Sequence, residues 1–332
     1  MMKYDVYGVG NALVDIVTEV DADFFQRNGV EKGVMTLVDE KRQHELMGFI
    51  ETGKSKMSCG GSAGNTVIAV SQFGGKSFYS CLVARDELGK FFLMDMARNG
   101  VDTNLTPERC PEGHSGRCLV MTSPDADRTM NTFLGISSML APEHLDGSAL
   151  QQSEYVYLEG YLVASPKGLD AMTEAKRIAE KSNTKVALTL SDPNMVRFFE
   201  KQFQEVIGAS VDLLFCNEEE AMMVTGTTDL EAAAKKMRQL SKKFAITMGA
   251  NGALVFDGEF EIKIQPYSTK AVDTNGAGDM FAGAFLYAIT HGHNFAGAGR
   301  LASLASSRVV SQWGPRLSPE EAKTLLSDLI GS

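Results

Sequence analysis

The sequence of 332 residues contains few of the residue clusters that build disulfide-rich or zinc-dependent proteins. Its five cysteines are an odd number, none of them forms a C-x-x-C pair, and its five histidines are scattered apart from His291 and His293. Disulfide frameworks and zinc sites both need clustered ligands or paired cysteines. We therefore expect reduced thiols in the core of a cytoplasmic protein, and we expect no zinc site.

The chain also lacks the segments that bind a membrane or nucleic acid. It has no run of about 18 apolar residues, and its start, MMKYDVYGVG, has no apolar stretch typical of a signal peptide. The net charge is -10, and the sequence contains no block of lysine and arginine residues. We therefore expect neither a membrane nor a nucleic-acid partner. A nucleotide remains possible, because a few amides at a helix start can hold a phosphate.

Apolar strand-like segments alternate with amphipathic helical segments through the second half of the chain. The strand-like segments are EYVYLEGYL, KVALTLS, VDLLFCN, FAITMG and GALVFDG. This alternation predicts an α/β fold, with a mostly parallel sheet and helices on both faces. Two strand-like stretches, about 14–38 and about 110–135, interrupt the pattern. We expect them to form a small accessory sheet on a single domain that spans 1–332.

The stretch GFIETGKS, residues 48–55, matches the P-loop pattern G-x-x-x-x-G-K-S. A working P-loop follows a buried strand and begins a helix. Here a charged amphipathic helix, EKRQHEL, comes before the pattern, and no helical pattern follows it directly. We interpret the stretch as a helix end with a C-cap at Gly53 and exposed lysines. The segment GVGNAL lacks the third glycine of a dinucleotide fingerprint.

The segment AVDTNGAGDMFAGAFL, residues 271–286, places a polar turn before a helix rich in glycine and alanine. Gly276, Ala277 and Gly278 would present backbone N–H groups at the start of this helix, where anions bind. Asp279 would then lie in the first helical turn. It could serve as a general base for an attacking hydroxyl, or it could simply cap the helix, and the local pattern leaves both roles open.

Four segments together resemble the ribokinase-type (PfkB) family of sugar and nucleoside kinases, over nearly the whole chain. They are DTNGAGD at Asp273–Asp279, CGGSAGNTVIAVSQFGG at 59–75, NEEE at 217–220 and TMGANG at 247–252. The resemblance implies a Rossmann-like (ribokinase-like) α/β fold with a small β-sheet lid, made by the two irregular stretches. It also implies ATP and Mg²⁺ as cofactors, with K⁺ as a further candidate.

The resemblance assigns roles to individual residues. It makes Asp279 the base and Gly276–Gly278 the anion hole. The remaining assignments are Asp15, Gly60, Gly61, Asn65, Arg128 and Tyr161 for the substrate; Asn217, Glu220, Thr247, Gly249 and Gly252 for ATP; Glu220, through water, for Mg²⁺; and Asp273 for a monovalent cation. Purely structural alternatives stay open: a solvated strand-end aspartate for Asp15, a surface arginine for Arg128, a core tyrosine for Tyr161 and an acidic helix start for NEEE.

Within the family, GVGNALVDIVTEVDADFF and DTNGAGDMFAGAFL most resemble adenosine kinases. This implies transfer of the ATP γ-phosphoryl group to the 5′-hydroxyl of adenosine. Glu159 departs from that pattern, because eukaryotic adenosine kinases carry a small residue there and ribokinases carry an acid. A kinase for ribose, fructose or a related carbohydrate is therefore the alternative, and a silent nucleoside-binding protein is a third hypothesis. Both a monomer and a homodimer are compatible with the sequence.

Overall fold

The computed structural model describes residues 2–50, 55–124 and 128–330. Its strands are β1 Tyr4–Val9, β2 Leu13–Glu19, β3 Met35–Leu37, β4 Lys56–Gly60, β5 Ser77–Ser80, β6 Val101–Asp102, β7 Gly116–Thr122, β8 Arg128–Phe133, β9 Ser153–Leu158, β10 Lys185–Thr189, β11 Leu213–Asn217, β12 Phe244–Thr247, β13 Ala253–Phe256 and β14 Glu261–Ile264. Its α-helices are α1 Phe24–Arg27, α2 Glu40–Gly48, α3 Ser62–Gln72, α4 Glu87–Arg98, α5 Gly147–Gln151, α6 Pro166–Ser182, α7 Pro193–Phe198, α8 Glu200–Ile207, α9 Glu218–Thr225, α10 Leu230–Met237, α11 Ala277–Thr290, α12 Phe295–Val310 and α13 Pro319–Ile330. Short 3₁₀ turns lie at Gly135–Met139, Pro142–His144, Gly160–Ala164 and Gly249–Asn251.

The main sheet runs through the centre of the molecule. Over the described ranges it has nine strands in the order β14-β13-β12-β11-β10-β9-β1-β5-β6. The strands from β12 to β6 in that order pair in parallel, while β13 and β14 extend one edge with antiparallel pairs. The mostly parallel sheet expected from the alternating pattern is confirmed.

Helices cover both faces of this sheet, as the side chains of β11 illustrate. Leu213 and Phe215 belong to the core beneath α3, α11 and α12, whereas Leu214 and Cys216 belong to the core beneath α6, α8 and α10. Successive side chains of a strand point to opposite faces, so a strand buried on both sides reads as a continuous apolar run. This burial explains the run LLFC in the sequence.

A second, smaller sheet joins strands from both irregular stretches of the sequence. Its order in the described residues is β3-β8-β7-β2-β4. Helices α1 and α2 pack on it through a small apolar cluster that includes Phe24, Leu46 and Leu119. Strand β4 was not predicted, because KMSCG is short and its pairing is with the distant β2 in antiparallel register.

The P-loop match lies between a helix and a strand, in the reverse of the order that a P-loop requires. Helix α2 starts at the cap Asp39, whose carboxylate accepts from the backbone N–H of Arg42, and ends at Gly48. Strand β4 begins only at Lys56. The expected C-cap at Gly53 is therefore wrong, because the helix ends earlier; Gly53 and Lys54 themselves lie outside the described residues.

The polypeptide between Asp192 and Ile207 forms two helices that the sequence pattern did not reveal. Helix α7 starts with Pro193 after the cap Asp192, and α8 follows almost without a break.

All five cysteines are buried and free. In the described part of the chain, no helix combines the length and the apolar character needed to cross a bilayer.

Candidate active site

A cavity of about 790 Å³ opens between the second sheet and the carboxyl ends of the central strands of the main sheet. Ligands of open α/β sheets bind at this edge. Three groups of residues line it: Leu13, Asp15, Met35, Leu37, Cys118, Met130 and Thr132 from the second sheet; Glu159, Thr189, Asn217 and Thr247 from strand ends of the main sheet; and Gly61, Ser62, Asn65 and Asp273–Asp279 from the starts of α3 and α11.

The start of α11 forms one end of the cavity. Gly276 caps the helix in the left-handed region, with φ of 74°. A Cβ at Gly276 would collide with Pro315, whereas a Cβ at Gly278 would meet no atom within 4 Å. Ala277 donates its N–H to the carbonyl of Thr274 at 3.3 Å. The first turn of a helix has N–H groups without partners inside the helix, so this end of the cavity is suited to an anion.

Two side chains from α3 hold the carboxylate of Asp279. Ser62 Oγ donates to Asp279 Oδ1 at 2.6 Å, and Asn65 Nδ2 donates to Asp279 Oδ2 at 2.9 Å. Burial raises the pKa of Asp279, while these two hydrogen bonds and the charge of Arg316 act to lower it. The carboxylate therefore sits in a fixed orientation at the cavity wall, in surroundings that favour taking up a proton.

A third residue, Arg316, holds Asn65 in turn. Arg316 Nε donates to Asn65 Oδ1 at 2.8 Å, and Arg316 Nη1 donates to Asp95 Oδ2 at 2.5 Å. The sequence pattern missed Arg316 because no local signal joins it to a residue 251 positions away. Ser62 was missed as well, although it lies inside the segment that resembles the kinase signature.

Asp15 projects from β2, lines the same cavity and is only 8% exposed. Gly60 faces it, and a Cβ at Gly60 would collide with the carboxylate, so this glycine makes room for Asp15 and does not itself line the cavity. Gly61 has φ of 90°, and a Cβ there would collide with the carbonyl of Asn11. Both glycines are therefore required by close approach and backbone conformation.

Glu159 lies just after β9, 1% exposed, on the floor of the cavity. Its Oε1 accepts from Asn11 Nδ2 at 2.9 Å and from the Asn11 N–H at 3.2 Å, and its Oε2 accepts from the Ala63 N–H at 2.8 Å. Burial raises the pKa of Glu159 to about 7 against these hydrogen bonds. Glu159 thus joins the end of β1 to the start of α3, a connection that the sequence did not predict.

Asn217 and Glu220 form a reciprocal cap at the start of α9. Asn217 Nδ2 donates to Glu220 Oε1 at 2.8 Å, and the Glu220 N–H donates to Asn217 Oδ1 at 2.8 Å. Burial raises the pKa of Glu220 to about 7. Both residues line the cavity together with Thr247, whereas Gly249 and Gly252 do not.

The two glycines of the TMGANG segment are explained by the conformation of the backbone. Gly249 and Gly252 have φ of 54° and 88°, and a Cβ at Gly252 would collide with the carbonyl of Ile264. They allow the chain to turn tightly between β12 and β13. Their predicted contact with ATP stays a prediction.

Tyr161 and Arg128 differ in what the structure describes of them. Tyr161 lies in the 3₁₀ turn Gly160–Ala164 and lines the cavity, where burial raises its pKa. Arg128 begins β8, but its side chain lies outside the described residues. Its predicted contact with phosphates stays a prediction.

Asp273 ties together two loops beside the start of α11. Its Oδ1 accepts from the Asn275 N–H at 2.8 Å, and its Oδ2 accepts from the Gly314 N–H at 2.9 Å. Within the described residues, no three His, Cys, Asp or Glu side chains are grouped so that they could hold a metal ion. The predicted role of Asp273 at a monovalent cation stays a prediction.

Comparison with known proteins places this chain in a family. A model of the pfkB family of carbohydrate kinases matches residues 34–322. The crystal structure of adenosine kinase from Sinorhizobium meliloti is 34% identical and superposes with a TM-score of 0.90, over 98% of this chain and 99% of that chain. A probable sugar kinase from Rhizobium etli CFN 42 is also 34% identical, with a TM-score of 0.90 over 99% of this chain and 100% of that chain.

A plant protein extends the comparison at lower identity. Adenosine kinase 1 of Arabidopsis thaliana is 27% identical over an alignment of 332 positions, which covers 92% of this chain and 94% of that protein. The expected ribokinase-like α/β fold, with its large sheet and second small sheet, is confirmed by the solved structures. The chain belongs to the pfkB family of carbohydrate kinases and is therefore an ATP-using phosphotransferase that acts on an alcohol group.

Proposed function

We propose that this protein transfers the γ-phosphoryl group of ATP to the 5′-hydroxyl of adenosine. The observation that carries the proposal is the position of Asp279, whose carboxylate lies at the start of α11 and faces the same cavity as Asp15. One end of that cavity offers helix N–H groups for phosphate, and the other offers a carboxylate for a pair of hydroxyls. An acceptor bound between them would present its hydroxyl to Asp279.

In the proposed reaction, Asp279 takes the proton of the 5′-hydroxyl as that oxygen attacks the γ-phosphorus. The new P–O bond forms while the bond to the bridging oxygen of ADP breaks, and the amides of Gly276–Gly278 stabilise the charge of the transferring group. Ser62 and Asn65 keep the carboxylate aimed in one direction. The raised pKa of Asp279 makes it a better base than an exposed aspartate.

The acceptor end of the cavity favours a nucleoside over a free sugar. Asp15 can accept from both hydroxyls of a ribose, because its two oxygens offer acceptor sites for a vicinal diol. The second sheet contributes an apolar wall to the same cavity, made by Leu13, Met35, Leu37 and Met130, and Leu134 extends this wall just after β8. A flat base would bury its faces against such a wall, whereas the hydroxyls of a sugar would lose hydrogen bonds to water there. Tyr161 is proposed to stack on the base.

The ATP end would use Asn217 and Thr247, and the second sheet would act as a lid. Glu220 fits a water-mediated contact to Mg²⁺, because its carboxylate lines the cavity and each oxygen retains acceptor capacity. Mg²⁺ would neutralise charge on the phosphates. Asp273 is proposed to lie near a monovalent cation such as K⁺. Closure of the second sheet over the acceptor would exclude water and limit ATP hydrolysis.

A kinase for a free sugar is the second candidate, and Glu159 favours it. This acid lines the cavity floor, where it could accept from a sugar hydroxyl. Three hydrogen bonds from Asn11 and Ala63 already occupy it, however, so it has little capacity left for a ligand. We therefore assign Glu159 to holding the site together.

A panel of acceptors tests the proposal. ADP formation would be measured with adenosine, inosine, guanosine, cytidine, ribose, fructose and 2-keto-3-deoxygluconate, each at saturating ATP and Mg²⁺. We expect adenosine to give the highest kcat/KM and 5′-AMP as the product. Turnover of a free sugar with no activity on adenosine would refute the proposal. Ligand binding without ADP formation across the panel would favour a silent binding protein instead.

A further inference from the structure

We propose that Arg316 is a positioning residue for phosphotransfer, which acts on the base Asp279 through the side-chain amide of Asn65. This inference rests on the proposed function, in which Asp279 is the base. It assigns a role in the reaction to a residue on the segment between α12 and α13, outside all the segments that resemble the kinase signatures. Arg316 does not line the cavity, so its effect has to be indirect.

The direction of the hydrogen bonds defines the role. A guanidinium can only donate, so Arg316 Nε requires the carbonyl oxygen of the Asn65 amide on its side, at 2.8 Å. The NH₂ group of the same amide then faces Asp279 Oδ2, at 2.9 Å. If the amide turned over, its oxygen would face the carboxylate and its NH₂ would face the guanidinium, and both contacts would be repulsive. Arg316 therefore selects the amide orientation in which Asn65 can donate to Asp279.

The guanidinium is itself held firmly. Its Nη1 donates to Asp95 at 2.5 Å, and the two side chains are only 14% and 25% exposed. The neighbouring backbone is also anchored, because Gln72 Nε2 donates to the carbonyl of Leu317 at 2.6 Å and the Gly314 N–H donates to Asp273. A partly buried, charge-assisted hydrogen bond is stronger than a neutral one and fixes the geometry of its partners. This rigidity is what a positioning residue requires.

Arg316 also adds positive charge near the base. Its charge acts to lower the pKa of Asp279, although burial dominates. The other titratable groups near Asp279 are Glu159 and the buried phenols of Tyr79, Tyr157 and Tyr161. Burial raises the pKa of each of these groups, and the charge of Asp279 acts in the same direction. Removing the charge of Arg316 should therefore raise the pKa of Asp279.

The first experiment compares Arg316→Met with Arg308→Met, which removes an exposed arginine from α12 as a matched control. We expect kcat to fall about 10- to 100-fold in Arg316→Met, because a misdirected base loses its near-attack geometry, and KM for ATP to stay within about twofold. The acid limb of the kcat/KM profile should move to higher pH. Arg308→Met should match the wild type in both measurements. Unchanged kcat in a folded Arg316→Met protein would overturn the inference.

A double-mutant cycle separates positioning from general stability. If Arg316 acts through Asn65, Arg316→Met should cause no further loss of kcat in an Asn65→Ala background. Multiplying losses would overturn the inference. If Arg316→Met does not fold, Asp95→Asn replaces it. This change leaves the charge of Arg316 without its ion-pair partner, so the acid limb of the kcat/KM profile should move to lower pH. An acid limb at an unchanged pH would overturn the inference. Near-native turnover of Asp279→Asn would refute the assignment of Asp279 as the base. If kcat falls in Asp279→Asn but not in Arg316→Met, only the role of Arg316 is refuted.

Discussion

Ser62 and Asp279, 217 residues apart in the sequence, meet at 2.6 Å through a hydroxyl and a carboxylate. The contact joins the first turn of α3 to the first turn of α11. In the proposed reaction, one helix therefore supplies the base and the other helix aims it.

Asp279→Asn should reduce kcat by about 10²–10⁴-fold, because an amide cannot take up the proton of the acceptor hydroxyl. The size of the side chain is unchanged, so the affinity for ATP should stay near that of the wild type. Initial-rate kinetics and calorimetric titration with ATP would measure the two effects. Asp170→Asn, on the exposed side of α6, serves as the control. If the Asp279 variant keeps near-native turnover, Asp279 is not the base and only links α11 to α3.

Substitution of the two glycines at the start of α11 should separate catalysis from stability. Gly278→Ala meets no neighbouring atom, so thermal stability should be retained, while the new methyl group at the cavity wall should obstruct the phosphate and lower kcat. Gly276→Ala combines φ of 74° with a collision against Pro315, so it should lower stability by more than about 1 kcal/mol. Thermal melts and steady-state kinetics on both variants would check this. Unchanged kcat in Gly278→Ala would argue against an anion site there.

Asp15→Asn should raise KM for adenosine about 10- to 100-fold, because the amide replaces one of the two acceptor oxygens that face the ribose hydroxyls with an NH₂ donor. KM for ATP should change little. 2′-Deoxyadenosine provides a matched probe, since it lacks one hydroxyl and should lose less affinity in the variant than adenosine does. Equal losses for the two nucleosides would show that Asp15 does not bind the diol.

Glu159 should make the stability of the protein depend on pH. Burial raises its pKa from an ordinary value of 4.5 to about 7, so between these values the folded state binds more protons than the unfolded state. Stability is then lost as pH rises through this window, by up to roughly 3 kcal/mol. Glu159→Gln should gain stability relative to the wild type as pH rises from 5 to 7.

Urea denaturation of both proteins at pH 5, 6, 7 and 8 would measure this difference. Glu143→Gln, an exposed substitution, controls for the loss of one carboxylate. A constant difference between wild type and Glu159→Gln over the whole range would contradict the prediction.

Lys54→Ala should leave turnover nearly unchanged. The GFIETGKS stretch lies after α2 and before β4, so it lacks the strand–loop–helix order in which a P-loop lysine reaches phosphate. Steady-state kinetics with varied ATP would test this. A collapse of ATP affinity would mean that the motif binds phosphate after all.

The parts of the fold and site that were predictable are those with a local signal. The α/β alternation and the helix that begins at Ala277 could be read directly, because periodicity and small residues act within a few positions. Strand β4 could not be read, since its pairing with β2 is not local. The motif predicted Gly60 as a substrate-binding residue, whereas its close approach to the Asp15 carboxylate is visible only in three dimensions.

Long-range side-chain contacts also limit what can be predicted from the sequence. Glu159 was noticed only as a departure from a family pattern, and its hydrogen bonds to Asn11 and Ala63 span 148 and 96 residues. Arg316 gave no signal at all, because an arginine before a proline-led helix resembles any surface residue. Sequence patterns identify groups that do chemistry; the groups that orient them depend on packing that only the folded chain reveals.

The contacts that Gly314 and Arg316 make with Asp273 and Asn65 have a consequence for synthesis of the protein. A ribosome releases the segment around residue 316 long after α3 and shortly after α11. Until then, Asn65 lacks the partner that orients it, and the loop beside Gly276 is not fastened. A nascent chain therefore has its proposed base before it has the means to direct that base, and full phosphotransfer activity should begin only after residue 316 has left the ribosome.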